Sequence, residues 1–200
     1  MKKYSFIAIM LLLTSCAVSE MEETIFIPDA TDRNLPAYTE WGYNSFGALY
    51  ERNYFLAAND IVPCKITVQR GIMTFSLSGR VAASNSSWSK RENMTLNFSF
   101  PVSGLIRDYR DLLVLHQQTI DLTYSSCEVK MIKDSRTEDI VLLSGDLTFQ
   151  RVQLLRINEQ ENRVILSGMF DLTFLRNGLP EALSRGRFDL GIVNIFIMPN

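Results

Sequence analysis

The sequence predicts an all-β fold, namely an antiparallel β-sandwich with one short helix. Apolar and polar residues alternate with a period of two along many segments after Trp41. Most of these segments have one polar and one apolar face, which is typical of antiparallel sheets. Apolar residues at helical spacing are concentrated in one segment, residues 107–117. A closed lipocalin-like barrel is the alternative, since it would also combine strands, one helix and an export signal.

The alternation defines the first strands in chain order. Residues 64–69 and 73–78 alternate on either side of Gly71, which predicts a tight hairpin. Residues 93–100 read NMTLNFSF and are followed by Pro101, which ends the strand. Further alternating segments follow at residues 120–124 and 127–131.

Two later segments resemble each other, LLSGDLTF at residues 142–149 and ILSGMFDLTF at residues 165–174. The second has two more residues between Gly168 and Asp171, an insertion that preserves the face on which each side chain lies. Gly145 and Gly168 predict a bulge, or a bend between two sheets, within these strands.

The remaining elements are one helix and a C-terminal strand. The helix is predicted at residues 107–117, and a shorter helical turn at residues 180–183, because proline suits the first position of a helix. The last segment, IVNIFIM at residues 192–198, is apolar on both faces. We expect it to be buried on both sides, because such a strand is prone to aggregate when exposed.

The chain begins with a charged and then an apolar segment. Lys2 and Lys3 precede eight apolar residues, and Leu13-Thr14-Ser15-Cys16 follows. An eight-residue helix is about 12 Å long, too short for a hydrocarbon core of about 30 Å. The tetrapeptide resembles the lipobox of bacterial lipoproteins, whose cysteine is diacylated and becomes the first residue after cleavage. The resemblance implies that residues 1–15 are a signal peptide and that Cys16 anchors the protein in a membrane.

An acidic segment follows Cys16. Residues 17–32 contain five acidic residues and neither Lys nor Arg, which predicts a flexible tether over residues 16–38 and one folded domain over residues 39–200. Serine followed by acidic residues also resembles, in part, the export signal of surface-exposed lipoproteins in Bacteroidetes-type bacteria, although Met21 interrupts the acids. We therefore expect an outer-membrane location, with exposure at the cell surface as one alternative and an ordinary acidic linker as the other.

Composition and charge exclude several classes of protein. An apolar fraction of 46% is too high for a disordered chain. A net charge of −2 gives no electrostatic basis for binding nucleic acid. Loss of residues 1–15 removes Lys2 and Lys3, which leaves 18 basic and 22 acidic residues and a net charge of −4.

Two cysteines remain in the folded part, Cys64 and Cys127. In an oxidising compartment they could form a disulfide if their Cα atoms come within about 7 Å. Two unpaired thiols on the apolar faces of their strands are the alternative that we favour. His116 is the only histidine and lies in the predicted helix, where we expect a packed or hydrogen-bonded structural role.

No motif of catalysis or metal binding is present. The chain lacks GxSxG, HExxH, a Gly-rich phosphate loop and an EF-hand loop. Asp146 and Asp171 occupy equivalent positions in the two similar strands and are expected to be solvated or paired with arginine. We therefore expect a protein that is not an enzyme and that has no metal and no cofactor.

The aromatic residues are the last candidates for a binding site. Those between Trp41 and Phe55 are expected to pack in the core. Trp88 lies in the polar segment NSSWSK and is a candidate platform for stacking a sugar ring. Of these aromatic residues, Trp88 is therefore the candidate ligand contact.

The signal, the acidic tether and three further segments together suggest a family. WGYNSFGALY at residues 41–50, SGMFDLTF at residues 167–174 and RGRFDLGI at residues 185–192 look like segments of small β-rich lipoproteins of Bacteroidetes-type bacteria. The resemblance implies location and fold and carries over no catalytic residue. We expect a membrane-anchored lipoprotein of the cell envelope that is a non-catalytic binding or structural module for glycan or protein. The alternatives are a lipocalin-like carrier of a small apolar ligand and a hydrolase with a carboxylate pair.

Overall fold

The computed structural model describes residues 23–83, 91–157 and 160–199, whose fold is built on one sheet of twelve strands. In chain order the strands are β1 (Ser45–Tyr50), β2 (Asn53–Leu56), β3 (Cys64–Gln69), β4 (Ile72–Ala83), β5 (Arg91–Pro101), β6 (Gln118–Asp121), β7 (Glu128–Lys133), β8 (Arg136–Glu138), β9 (Ile140–Ile157), β10 (Gln160–Arg176), β11 (Leu179–Ile192) and β12 (Phe196–Ile197). One 3₁₀ helix, Tyr109–Leu115, lies between β5 and β6. The predicted all-β fold with one short helix is confirmed.

The sheet runs in the order β6-β9-β10-β11-β1-β2-β4-β5-β7-β8, and β3 pairs with the first half of β4. Among the described strands every pairing is antiparallel except that of β12 with β3. The sheet curls on itself into a half-barrel, so that β4 and β5 face β9, β10 and β11. Both layers expected of a sandwich therefore come from one continuous sheet, a form between the predicted sandwich and the alternative barrel.

Phenylalanine rings fill the space between the two walls. The ring centroid of Phe75 on β4 lies 5.7 Å from that of Phe149 on β9 and 5.1 Å from that of Phe188 on β11. Phe98 on β5 lies 5.5 Å from Phe170 on β10. All five rings are buried. Each such pair adds about 0.5–1.5 kcal/mol beyond the burial of its apolar area, so these contacts hold the walls together.

The Gly-x-Phe sequences of β10 and β11 lie opposite each other in the sheet. Gly168 pairs with Phe188, and Phe170 pairs with Gly186, so each ring covers the glycine of the opposite strand. A Cβ on Gly168 would lie 2.5 Å from the Phe188 ring and would overlap the carbonyl oxygen of Thr148. The register shifts beside Gly168, which confirms the predicted bulge.

A second irregularity changes the predicted facing of β9. Alternation places Leu143 on the same face as Leu147 and Phe149, yet Leu143 is exposed while the other two are buried. The register between β9 and β10 shifts between Thr173 and Phe174, where Leu143 has no partner. One unpaired residue reverses the facing of every residue beyond it, which explains the exposure of Leu143.

Two-residue turns join β3 to β4, as predicted at Gly71, and β10 to β11. Arg70 and Gly71 have φ of 51° and 77°, and Asn177 and Gly178 have φ of 53° and 78°. Left-handed conformation at both turn residues is the type I′ geometry that connects twisted strands. The helical turn predicted at residues 180–183 is therefore wrong, because the Asn-Gly turn leads directly into β11.

The 3₁₀ helix covers part of the curled sheet. The Asp108 side chain accepts a hydrogen bond of 2.8 Å from the backbone N–H of Arg110, and the Asp111 side chain accepts from the N–H of Arg107 at 2.7 Å. The helix buries Leu112 and Leu115 against β9 and β10. Within the described ranges, no helix has the length and apolar character needed to cross a membrane.

The N-terminal segment packs on the domain. The backbone N–H of Ile25 donates to the carbonyl of Tyr43, and the N–H of Ala37 donates to the carbonyl of Ile27. Leu35 is fully buried. The structure thus corrects the boundary of the predicted tether, residues 16–38, because residues 25–38 lie against the sheet.

The acidic residues that suggested a solvated tether have partners on β11. Asp29 accepts a hydrogen bond of 2.6 Å from Arg187, and Asp32 accepts one of 3.2 Å from Arg185. Hydrogen bonds from Thr31, and then the one from Arg187, hold the pKa of Asp29 well below its usual range. These ion pairs join the segment to the outer face of the sheet.

The C-terminal segment is less buried than predicted. Phe196, Ile197 and Met198 are each about half exposed. The prediction of burial on both sides is wrong for these three residues and for Val193, which is 47% exposed, because β12 pairs only two residues with β3 at the edge of the sheet.

A buried carboxylate fixes the loop that precedes β1. Asp189 on β11 is 2% exposed and accepts hydrogen bonds from the hydroxyls of Thr39 (2.5 Å) and Ser167 (2.8 Å). It also accepts from the backbone N–H groups of Gly42 (2.7 Å) and Trp41 (3.1 Å). Donors therefore surround the carboxylate, which offsets the loss of its hydration.

Asp189→Asn should lower the free energy of unfolding by roughly 2–4 kcal/mol, because an amide has one acceptor oxygen and turns an NH₂ group toward buried donors. Urea denaturation measures the difference. Asp146→Asn is the matched control, since Asp146 is exposed and faces Asp121 and Asp171 across the strands; we expect a change within about 0.5 kcal/mol. Equal effects of the two substitutions would contradict the role assigned to Asp189.

Candidate functional site

A charged pocket lies at the end of the sheet where β1 and β10 finish and β5 and β11 begin. Its volume is about 590 Å³, within the range of small-molecule sites. It is lined by Glu92, Lys133, Asp134, Arg136, Glu138 and Arg176. These residues come from β5, the β7–β8 hairpin and the end of β10, so the curl of the sheet brings them together.

The β7–β8 hairpin forms one side of the pocket. Asp134 and Ser135 have φ of 43° and 66°, a tight turn that places Lys133 opposite Arg136. The N–H of Asp134 donates to the carbonyl of Asn93, and the N–H of Asn93 donates to the Asp134 side chain at 3.2 Å. The hairpin is therefore held against β5.

Arg176 joins the two walls of the pocket. Its guanidinium makes a two-pronged contact with Glu181, with distances of 2.9 and 2.7 Å from Nε and Nη2 to Oε1. Nη1 donates to Glu138 of β8 at 3.2 Å. The hydroxyl of Tyr50 donates to Glu181 at 2.5 Å. Bidentate pairs of this kind combine charge with fixed geometry.

The ionisation of this network follows from its contacts. Burial by itself would raise the pKa of Glu181, but the hydrogen bonds from Arg176 and Tyr50 lower it overall. Burial, and then the bond to Glu181, raises the pKa of Tyr50, which keeps its hydroxyl protonated as a donor. The hydrogen bond to Glu181 raises the pKa of Arg176 above its usual value.

Lys133 is the least hydrated cation of the pocket. Its side chain is 14% exposed, and its ammonium lies 4.5 Å from the centre of the Tyr50 ring and 3.9 Å from Glu92. Burial, and then the charge of Arg176, lowers the pKa of Lys133. The ammonium is therefore stabilised by the face of an aromatic ring and by the charges of Glu92, Glu181 and Glu138.

The pocket is suited to binding an uncharged polar molecule. Three cations and three carboxylates line it, so the formal charge of the lining is zero. Both hydrogen-bond donors and acceptors are present, which matches ligands rich in hydroxyl groups. Glu181 beside it is held as a carboxylate, which is the wrong state for a general acid.

Asp146 and Asp171 do not form a carboxylate pair in a cleft. They are directly opposite each other on β9 and β10, and Asp121 of β6 is opposite Asp146, all on the outer face. Asp171 accepts a hydrogen bond of 2.7 Å from the backbone N–H of Arg185. This row of acids is open to solvent, whereas glycosidases place their acids on either side of a bound sugar.

Cys64 and Cys127 are both free cysteines in the structure. Cys64 lies on β3 and Cys127 directly precedes β7, with β4 and β5 between these strands. Three strand spacings amount to roughly 14 Å, twice the Cα separation that a disulfide allows. Burial raises the pKa of both thiols, which keeps them protonated and poorly reactive.

His116 accepts a hydrogen bond of 3.1 Å at Nδ1 from the backbone N–H of Val152. The expected hydrogen-bonded structural role is confirmed. The bond joins the end of the 3₁₀ helix to β9.

The aromatic residues between Trp41 and Phe55 separate into three groups, of which Tyr43 and Tyr54 form the half-buried one. Phe46, Tyr50 and Phe55 are buried, as predicted. Trp41 is 70% exposed, so its predicted place in the core is wrong. The hydrogen bond from its N–H to Asp189 fixes the loop in a position that leaves the indole outside.

Two other predicted site residues, Cys16 and Trp88, lie outside the described residues. Within residues 23–83, 91–157 and 160–199, no group of three or more side chains is placed to hold a metal ion.

Comparison with protein-family models, curated proteins and solved structures finds no match to this chain.

The charged pocket was not among the sites predicted from the sequence. One available signal was the segment RNGLPE, residues 176–181, in which an Asn-Gly turn is flanked by arginine and glutamate. A type I′ hairpin brings residues on either side of the turn close together, so this spacing predicts the ion pair. The contribution of β5 and β7–β8 depends on the curl of the sheet and has no local signal.

Arg176→Met should destabilise the domain by about 2 kcal/mol at pH 7, because it leaves Glu138 and Glu181 partly buried without their cation. Since the folded-state pKa of Glu181 is lowered, its stabilisation is complete above about pH 5 and is lost as the pH falls through the folded value. The stability difference between wild type and variant should therefore narrow between pH 5 and pH 3 in urea denaturation.

Arg136→Met is the matched control, because Arg136 lines the same pocket and is exposed. It should change stability by less than about 0.5 kcal/mol at any of these pH values. A stability gap for Arg176→Met that stays constant down to pH 3 would contradict the role of Glu181.

Proposed function

We propose that this chain is an acylated lipoprotein of the cell envelope, anchored at the outer membrane through Cys16. Its β-domain is a non-catalytic module that binds a polar ligand in the charged pocket. The single observation that carries the binding proposal is the pocket's balanced set of three cations and three carboxylates. A glycan is the ligand class that fits, because sugar hydroxyls both donate and accept hydrogen bonds and carry no net charge.

The volume of the site supports a small ligand. About 590 Å³ has room for a small molecule or for part of a longer glycan. The hydrogen bonds among Arg176, Glu138, Glu181 and Tyr50 hold one side of the pocket before any ligand arrives. A preformed site loses less conformational entropy on binding.

The alternative, a lipocalin-like carrier of a small apolar ligand, has less support. A carrier needs an apolar cavity between its walls. Here rings from both walls meet, with centroids 5.1 Å apart for Phe75 and Phe188 and 5.7 Å apart for Phe75 and Phe149. Side chains packed at this distance occupy the volume that an apolar ligand would need.

The anchor is tested by Cys16→Ala in cells fed an alkyne analogue of palmitate. Wild-type protein should incorporate the label and fractionate with the outer membrane, and Cys16→Ala should lose both properties, because the thiol is the acceptor of the acyl chain. Cys64→Ala is the matched control and should keep the label. Labelling of Cys16→Ala would contradict the assigned anchor.

The strain that carries the wild-type protein also tests exposure at the cell surface. Protease added to intact cells should degrade the domain if it lies on the outer leaflet. Complete protection, with degradation after lysis, would place the domain on the periplasmic side and contradict surface exposure alone.

Ligand binding is tested by screening the mature protein on a glycan array, followed by calorimetry with the best ligand. Arg136→Ala and Glu92→Gln should each weaken binding by about tenfold or more, because each removes a charged hydrogen-bonding group from the pocket. Asp146→Asn, on the outer face, should bind like wild type. Absence of any glycan bound by wild type would contradict the glycan proposal.

The variant Trp88→Ala tests whether the ligand binds at the stacking platform predicted from the sequence and not in the pocket. Loss of binding in Trp88→Ala together with unchanged binding in Arg136→Ala and Glu92→Gln would move the site away from the pocket. Loss in all three variants would place Trp88 beside it.

A further inference from the structure

Four exposed apolar side chains lie in two adjacent segments at the end of the sheet opposite to the charged pocket. Ile25, Phe26, Ile27 and Trp41 are 49%, 45%, 39% and 70% exposed. The N–H of Ile25 donates to the carbonyl of Tyr43, so the segment of residues 25–27 lies beside the loop that carries Trp41. We call these four residues the apolar end. Single exposed apolar residues are common on proteins, but four large ones in adjacent segments indicate a contact surface.

The apolar end and the pocket are separated by most of the length of β11. Glu181, bound to Arg176 beside the pocket, lies near the start of this strand, and Asp189, bound to the N–H of Trp41, lies near its end. Eight residues of regular strand span about 26 Å, and the bulge at Arg185, whose φ is 55°, makes this an upper limit. A surface that contacts the apolar end therefore does not reach the pocket.

The chain toward the anchor leaves the domain at the apolar end. Cys16 precedes Ile25 by nine residues. Nine residues reach at most about 30 Å when fully extended, so a bilayer that holds Cys16 is within that distance of the apolar end. The length and point of departure of this segment identify the bilayer as the surface that is always near these side chains.

Exposed apolar residues near the C-terminus lie at the same end of the sheet. β11 finishes there, and the N–H of Gly191 donates to the Asn44 side chain at 2.9 Å. The chain then continues to β12, where Phe196, Ile197 and Met198 are about half exposed. Pairing of β12 with Thr67 and Val68 places these residues at the end where β4 begins.

Hydrogen bonds to Asp189 fix the loop that carries Trp41, and the indole does not pack into the core. Asp189 binds the N–H of Trp41 and the N–H of Gly42, and Gly42 has φ of 76°, a conformation that favours glycine. The indole is therefore held outside by buried hydrogen bonds. Tryptophan is the side chain most typical of membrane–water interfaces, because its ring is apolar and its N–H can still be hydrated.

We infer that the apolar end, Ile25, Phe26, Ile27 and Trp41, is a membrane-contacting surface that inserts at the lipid headgroup level and holds the domain upright with its pocket outward. The inference rests on the proposed acylation of Cys16, which brings the domain to the bilayer. Because the tether carries Glu20, Glu22 and Glu23, anionic lipids would repel it. The contact is therefore apolar and does not require anionic lipids.

The test uses tryptophan fluorescence of the acylated protein in vesicles of phosphatidylcholine, with and without bromine on the acyl chains. The chain has two tryptophans, so Trp88→Phe leaves Trp41 as the single reporter. Its emission should shift to shorter wavelength on reconstitution, and brominated lipid should quench it at least twofold. The matched control carries Trp41→Phe, Trp88→Phe and Leu179→Trp, because Leu179 is exposed at the β10–β11 turn beside the pocket. It should show no quenching.

Phe26→Asp in the Trp88→Phe background should reduce the quenching of Trp41 by half or more, since it places a charge in the proposed contact. Acylation is verified by mass on each sample. Acylated protein with Trp41 unquenched would overturn the inference and leave the anchor intact, whereas unacylated protein would overturn the proposed anchor first. Quenching of the Leu179→Trp reporter, or a dimer in sedimentation that shields Trp41 from iodide without lipid, would also overturn it.

Discussion

The fold depends on one constraint: a single curled sheet has to fill its interior with its own side chains. Phe75 meets both Phe149 and Phe188, so one ring from β4 contacts two strands of the facing wall. These rings fit because glycines lie beneath them. Phe188 covers Gly168 and Phe170 covers Gly186 in reciprocal cross-strand pairs. Aromatic side chains placed over glycines fix the register of neighbouring strands, which in turn fixes what each end of the sheet presents.

The strands could be predicted because alternation is a local property of the sequence. The facing of Met94, Leu96 and Phe98 follows from their spacing alone, and the structure buries all three. Alternation does not report which strands are neighbours, so the sequence could not distinguish two packed sheets from one curled sheet. Alternation also does not reveal a single unpaired residue, so it did not predict that Leu143 faces solvent. The prediction of a helical turn at Pro180 was wrong because the preceding Asn-Gly pair forms a hairpin turn.

The candidate site was less predictable because it is assembled from distant parts of the chain. Lys133 and Glu138 lie on one edge hairpin and Arg176 at the end of β10, and only the curl of the sheet brings these elements together. Ion pairs caused a similar error at the N-terminus. Acidic residues near Asp29 looked like part of a solvated tether, since the arginines that bind them, Arg185 and Arg187, come more than 150 residues later.

β11 connects the two ends that the proposals concern. Its Glu181 is bound by Arg176 and Tyr50 beside the pocket, and its Asp189 is bound by the loop of Trp41 at the apolar end. The strand lies inside the sheet between β10 and β1, and its Phe188 is part of the aromatic core. A central strand held by core packing changes its length and direction very little. The distance between a bound ligand and the proposed membrane contact is therefore set by the fold, and the stretch from residue 16 to residue 25 sets only how the domain reaches the bilayer.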